Sequence, residues 1–312
     1  MSVFITKRKA EVAGLLFSTV IFVVSSYTEL TAESSAVYEH GIVYYERNEP
    51  DKAVKFFKEL LPANFTAPAS GKLKQAIELA QTGRVDESEN IMISLLDDEQ
   101  TAARAMYELG LIYESKGKLD DAAVIFRNAQ LVIANDNASY VGTDKCKICH
   151  IKEYKSWKTT KTAKTFEVLK PGIEAEAKTK LNFDPQKDYT KDAKCLECHT
   201  TGFGMPGGYK IPQADDSKSV KRAKDNEGTT CEACHGPGSK YIDIHKNIMT
   251  KKRKYTFDEL SQAGQHKADA TSCTACHNRR NPTAGPDYHF DYEKHKEEDT
   301  HENFPLNYPQ EK

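Results

Sequence analysis

The chain has 312 residues, 38% of them hydrophobic and 9% aromatic, with a formal charge of -2. That length suits about two domains, and near-neutrality excludes the long-range field of a nucleic-acid binder or a general affinity for anionic membranes. The one basic run, Lys251, Lys252, Arg253 and Lys254, reads as a solvated face.

The first segment, residues 1–36, has the plan of a secretory signal peptide: Lys7, Arg8 and Lys9, then an apolar stretch from Val12 to Val24, then polar residues from Ser25. The stretch falls short of the roughly 20 apolar residues of a spanning helix, so cleavage is the preferred reading over an uncleaved anchor. Ser34 and Ala36 suit the positions before a cleavage site, and Ala32, preceded by Leu30, offers a second one. Export to the periplasm, or to the outer face of the cytoplasmic membrane, is the expected destination. Membrane contact would come only through an uncleaved signal.

Residues 37–138 contain no cysteine and read as amphipathic helices. Asn48, Gly83 and Gly117 follow one another at intervals of 35 and 34 residues, each ahead of a similar helix. Gly41, Tyr44, Ala53 and Phe57 in the first unit correspond to Gly110, Tyr113, Ala122 and Phe126 in the third; Ala76, Leu79, Ser88 and Met92 form a degenerate middle copy. Small residues allow close helix approach and aromatics fill the groove between hairpins. The period is that of tetratricopeptide repeats. Such a surface docks a partner protein, although nothing in the residues names one.

All eight cysteines fall in four motifs: Cys146-Lys-Ile-Cys149-His150, Cys195-Leu-Glu-Cys198-His199, Cys231-Glu-Ala-Cys234-His235 and Cys273-Thr-Ala-Cys276-His277. One helical turn brings each cysteine pair to one side, where the sulfurs can form thioethers with two vinyl groups of a haem. The next residue, histidine, is the usual nitrogen ligand of haem iron. Zinc ribbons and disulfides also use paired cysteines, but neither requires a histidine after every second one. The expectation is therefore four covalently bound haem c groups in residues 139–312. That segment is rich in Lys, Asp, Gly and Pro and poor in long apolar runs, so the macrocycles would serve as its core. The expected fold class is mainly α: tetratricopeptide-like hairpins, then a loop-rich multihaem cytochrome c domain with little or no sheet.

Further segments accompany the haem motifs: Ser156-Trp157-Lys158, Leu169-Lys170-Pro171, Asp188-Tyr189-Thr190, Gly202-Phe203-Gly204 with Gly207-Gly208-Tyr209, and Cys234-His235-Gly236-Pro237-Gly238. In this order they resemble the tetrahaem cytochrome c-554 family, electron carriers in ammonia oxidation, over Tyr140 to about Leu306. The resemblance implies three haems with two histidine ligands each and a second haem open on its distal side. It implies that His245 caps the haem on His150 and that His301 caps the haem on His235. For the haem on His277 the family's distal histidine is replaced by Thr162, a poor iron ligand. That leaves His40, His266, His289, His295, Lys161, Lys164 or an open site. The loop between His277 and Tyr288 is shorter than the family's, which bears on the pocket over the second haem.

Two functions follow. The first is electron transfer between a redox donor and a redox acceptor, with no catalytic residue; the second is a haem enzyme acting on a small nitrogen or oxygen species at an open iron. Every cysteine is used by haem and no Gly-x-Ser-x-Gly elbow or phosphate loop occurs, so the carrier is the preferred reading.

Overall fold

The computed structural model describes residues 40–47, 49–59, 61, 71–134, 137–278, 280–282, 288–305 and 308. The signal segment, Asn48 and Leu306 lie outside the described residues.

The first part is a stack of helices: α1 (40–46), α2 (Pro50–Glu59), α3 (Gly71–Gln81), α4 (Val85–Leu95), α5 (Ala102–Ser115) and α6 (Leu119–Ala134). The expected repeat shows in the backbone. At the close of each leading helix the same long turn bond recurs, from Glu49 N–H to Tyr44 O, Arg84 N–H to Leu79 O and Lys118 N–H to Tyr113 O. Gly83 and Gly117 reach this turn at φ 83° and 70°, a left-handed cap that suits glycine.

Between paired helices, a Cβ on Gly41 would stand 2.5 Å from the Phe57 ring, and one on Gly110 would stand 2.5 Å from the Phe126 ring. Both phenylalanines are fully buried. The degenerate unit solves the same problem differently, with buried Ala76 and Met92 and a bond from Ser88 Oγ to Ala76 O. Gly110→Ala is therefore expected to lower stability. Overpacking costs about 1–3 kcal/mol, only partly offset by the roughly 1 kcal/mol helix preference of alanine. Adding Phe126→Met would recreate the middle unit's pairing and should recover most of the loss in thermal unfolding.

The second part is loop-rich. Its helices are α7 (Thr143–Cys146), α8 (Ile151–Trp157), α9 (Ala175–Lys180), α10 (Ala193–His199), α11 (Ser217–Asn226), α12 (Cys231–His235), α13 (Tyr241–Lys251), α14 (Phe257–Ser261), α15 (Ala270–Thr274) and α16 (Tyr292–His295). Among the described residues there is no strand longer than a single bridge, such as that of Thr200 with Glu227. The mainly α expectation is met. No described helix is long and apolar enough to cross a membrane. The basic run at the end of α13 is partly tied in, since Arg253 pairs with Glu259.

The two parts share a built junction. The glycine-rich loop closes around Tyr140: Tyr140 N–H donates to Pro206 O, and a Cβ on Gly207 would lie 2.1 Å from Tyr140 O. The loop thereby sends Met205 into the hydrophobic core of the repeats. Asp97, just beyond α4, receives Lys210 Nζ at 2.9 Å, Arg222 Nη1 at 2.8 Å and the Gly207 N–H at 3.3 Å. Burial pushes the Asp97 carboxyl up, but Lys210 and Arg222 outweigh it and hold the pKa below the ordinary carboxylate value. A depressed pKa stabilises the fold above the unfolded value and loses its effect as pH falls through the folded one. Asp97→Asn should thus cost about 1 kcal/mol near neutral pH, the ceiling for partly solvated pairs, and nothing in strong acid. Urea unfolding at the two pH values checks this.

Candidate haem centres

Each motif is a single tight turn. His150 N–H donates to Cys146 O at 3.0 Å and His277 N–H to Cys273 O at 2.9 Å, while α10 and α12 carry the second and third motifs within helix. Side-chain caps start two of these turns: Asp192 accepts from Lys194 N and Asp269 from Ser272 N. No two of the eight cysteines are joined in a disulfide; Cys149 is exposed and the other seven are partly buried.

The motifs are also brought to one another. Cys276 Sγ donates to the Cys198 carbonyl at 3.9 Å, which joins the fourth motif to the second. The third motif, on α12, packs on both α7 and α15, which carry Cys146 and Cys273 of the first and fourth motifs. The resulting spatial order is first, third, fourth, second, which the chain order does not contain.

The two distal candidates each lie near a motif histidine. His245, on α13, has its ring centroid 5.7 Å from that of His150, and His301 lies 6.2 Å from His235. Two imidazoles on opposite faces of one metal, each with a bond of about 2 Å, would have centroids about 6 Å apart. Gln265 Oε1 lies 3.0 Å from His245 Nε2. Ser156 accepts the Glu302 N–H at 2.9 Å, next to His301. Beside it, buried Trp157 donates Nε1–H to Thr229 O at 2.9 Å, so the Ser-Trp-Lys segment braces the C-terminal strap. Burial pushes the pKa values of His199, His235, His245 and His277 down. Neutral imidazole, the form that binds a metal, is thereby favoured.

The remaining two motif histidines have different neighbours. His199 meets the Thr165 carbonyl through Nδ1, and no second histidine ring pairs with it among the described residues. His277 is stacked by Phe290 at 4.6 Å, the Phe290 ring is 5.7 Å from that of His295, and Tyr288 Oη is 3.4 Å from His277 Nδ1. Thr162 is engaged elsewhere, since its hydroxyl donates to Asp299 O at 2.9 Å and its carbonyl accepts the Thr229 N–H. Of the alternative histidines, His289 lines the cavity at His277, whereas His40 stacks on Phe56 and His266 donates its N–H to His235 O.

Two residues inside the motifs carry no sequence signal of their own. Glu232 is 1% exposed and accepts three backbone N–H groups, from Val141, Gly142 and Gly238. It ties the approach to the first motif onto the third. Glu197 receives the Tyr45 hydroxyl, Arg127 Nη1 at 2.6 Å and Arg280 Nη2 at 3.5 Å. The only hint in the sequence is a carboxylate between two cysteines that must face a macrocycle.

These features suit haem. Among the described residues no group of three or more His, Cys, Asp or Glu is gathered as for a bare metal ion. The donors come singly or as facing histidine pairs, which is what iron already held by four porphyrin nitrogens requires. Arg280 Nη1 is buried with no hydrogen-bond partner among the described residues. A haem carboxylate beside it would satisfy that donor. The site defines a multihaem c-type cytochrome.

Comparison with known proteins makes this specific. The cytochrome c554 and c-prime family matches residues 145–236, and a tetratricopeptide repeat family matches residues 73–138. Cytochrome c-554 of Nitrosomonas europaea is 37% identical over 145 residues, 45% of this chain and 58% of the relative. This chain thus matches under two thirds of that relative's length. The solved reduced state of the Nitrosomonas europaea cytochrome c554 is 32% identical, covering 56% of this chain and 90% of that one at a TM-score of 0.49. Residues 145–236 are thus similar to the cytochrome c554 family and follow a tetratricopeptide repeat region, and that similarity implies covalently bound haem c.

Proposed function

We propose that the chain is an exported electron carrier with four haems, one thioether-bound at each motif, moving electrons between a redox donor and a redox acceptor. The observation that carries this reading is the contiguity of the motifs. The packing of α12 on α7 and α15, with Cys276 Sγ 3.9 Å from the Cys198 carbonyl, makes the attachment points follow one another from the first motif to the third, fourth and second. When bound, each haem supplies a one-electron couple whose potential its surroundings set. His150 with His245, and His235 with His301, would hold iron from both faces, a ligand set that needs little rearrangement on electron exchange. Glu232 and Ser156 keep those histidines' segments in place.

The enzyme reading retains one observation in its favour, since His199 has no facing histidine among the described residues. Its carbonyl contact with Thr165 orients the ring but places no proton donor on the opposite side. Potentiometric titration of the purified full chain, with and without hydroxylamine or nitric oxide, separates the two readings. The carrier reading expects several one-electron steps, reduction through all four centres and no turnover of either compound. Sustained turnover would overturn it.

A further inference from the structure

The repeat region does more than stand beside the haem-binding part. Glu197, between the cysteines of the second motif, is clasped by Tyr45 of α1 and Arg127 of α6 from the repeats, and by Arg280, three residues beyond His277. The Arg280 guanidinium lies 3.6 Å and that of Arg127 4.9 Å from the Tyr45 ring centroid. The side chains of Glu197, Arg127 and Arg280 are only 12%, 16% and 15% exposed. Two guanidinium groups face one glutamate carboxylate in a poorly solvated place, where Cys276 Sγ lies 3.9 Å from the Cys198 carbonyl. A neighbouring cavity of about 230 Å³ has His277, Tyr288 and Phe290 on one side and Val43, Glu46 and Arg47 of the first repeat on the other. Low dielectric strengthens the effect of fixed charge, and ferric iron carries one more positive charge than ferrous.

We infer that the tetratricopeptide region forms one wall of the haem pair on the second and fourth motifs, and that the Tyr45–Arg127–Glu197–Arg280 cluster raises that pair's reduction potential. The repeats are then a tuning element of the cytochrome as well as a surface for partners. This rests on haem being attached at those motifs. Arg127, Tyr45 and Glu197 are positioning and electrostatic residues, because none of them bonds the iron.

The test is redox titration of the full haem-loaded chain with dithionite at low ionic strength, resolving the centres by electron paramagnetic resonance. Arg127→Gln is expected to shift the reduction equilibrium of a haem of this pair at least tenfold toward the oxidised form, 59 mV for one electron. Glu197→Gln should shift it the opposite way, and the haems on His150 and His235 should keep their midpoints. Exposed Arg47→Glu, which cannot disturb the core, should move the haem on His277 in the same direction as Arg127→Gln, by a smaller factor. Four haems whose midpoints ignore all three substitutions, or shift together, would overturn the inference and leave the carrier reading intact. Absence of haem from the second or fourth motif would instead overturn the carrier reading itself.

Discussion

His301→Met should change one haem and spare the rest. The His301 ring faces His235 at 6.2 Å from a strap held by the Ser156 bond to Glu302 N–H. Methionine there replaces an imidazole by a thioether, and a His/Met pair raises the potential of haem iron. The oxidised protein should lose one low-spin bis-histidine signal in electron paramagnetic resonance. The matching midpoint should rise by tenfold or more in its reduction equilibrium, within the range of about 0.8 V that axial ligation spans. His245→Met should do the same to a different centre, the one on His150. If either variant keeps every low-spin signal, that histidine is not a ligand.

The largest loss of stability is expected at Glu232. Its Oε1 accepts Gly238 N–H at 2.7 Å and Val141 N–H at 2.9 Å, and its Oε2 accepts Gly142 N–H at 2.8 Å, all deep in the junction of the first and third motifs. Glu232→Ala strands three backbone donors. At about 1–3 kcal/mol for each buried unsatisfied group, the fold should lose about 3 kcal/mol or more, with haem attachment failing at the first motif. Glu232→Gln keeps the Oε1 bonds and should cost far less.

The pH behaviour of the two forms should differ as well. Burial pushes the Glu232 pKa up against the pull of the three donors. The carboxyl's contribution is then complete below the ordinary glutamate range and declines as pH rises through its raised value. Glutamine does not ionise, so Glu232→Gln should remove that slope from the denaturation midpoint measured against pH.

What was legible in the sequence was what repeats or what chemistry fixes locally. Gly41 with Phe57 and Gly110 with Phe126 could be paired in advance because a fixed period copies one packing contact, and the same period carries the turn bonds onto Tyr44, Leu79 and Tyr113. The haem motifs were legible because thioether spacing and the following histidine occupy a single turn. Glu197 and Glu232 were not, since the two positions between the cysteines carry no pattern; their partners Arg127, Tyr45, Val141 and Gly142 lie far away in the chain. Thr162 could be read only as a missing histidine, whereas its hydroxyl pins the backbone at Asp299. Nothing in the sequence around Met205 signals that it plugs the repeat core. The spatial order of the motifs arises from long-range packing of α12 on α7 and α15, to which local spacing is blind.

Whether one covalent haem sits at every Cys-x-x-Cys-His turn is decided by the intact mass of the purified chain under denaturing conditions. The expected mass is the polypeptide plus four haems, unchanged by acid-acetone extraction, and one haem fewer when both cysteines of any single motif are replaced by serine. A chain carrying fewer than four, or one whose haem is removed by extraction, would contradict it.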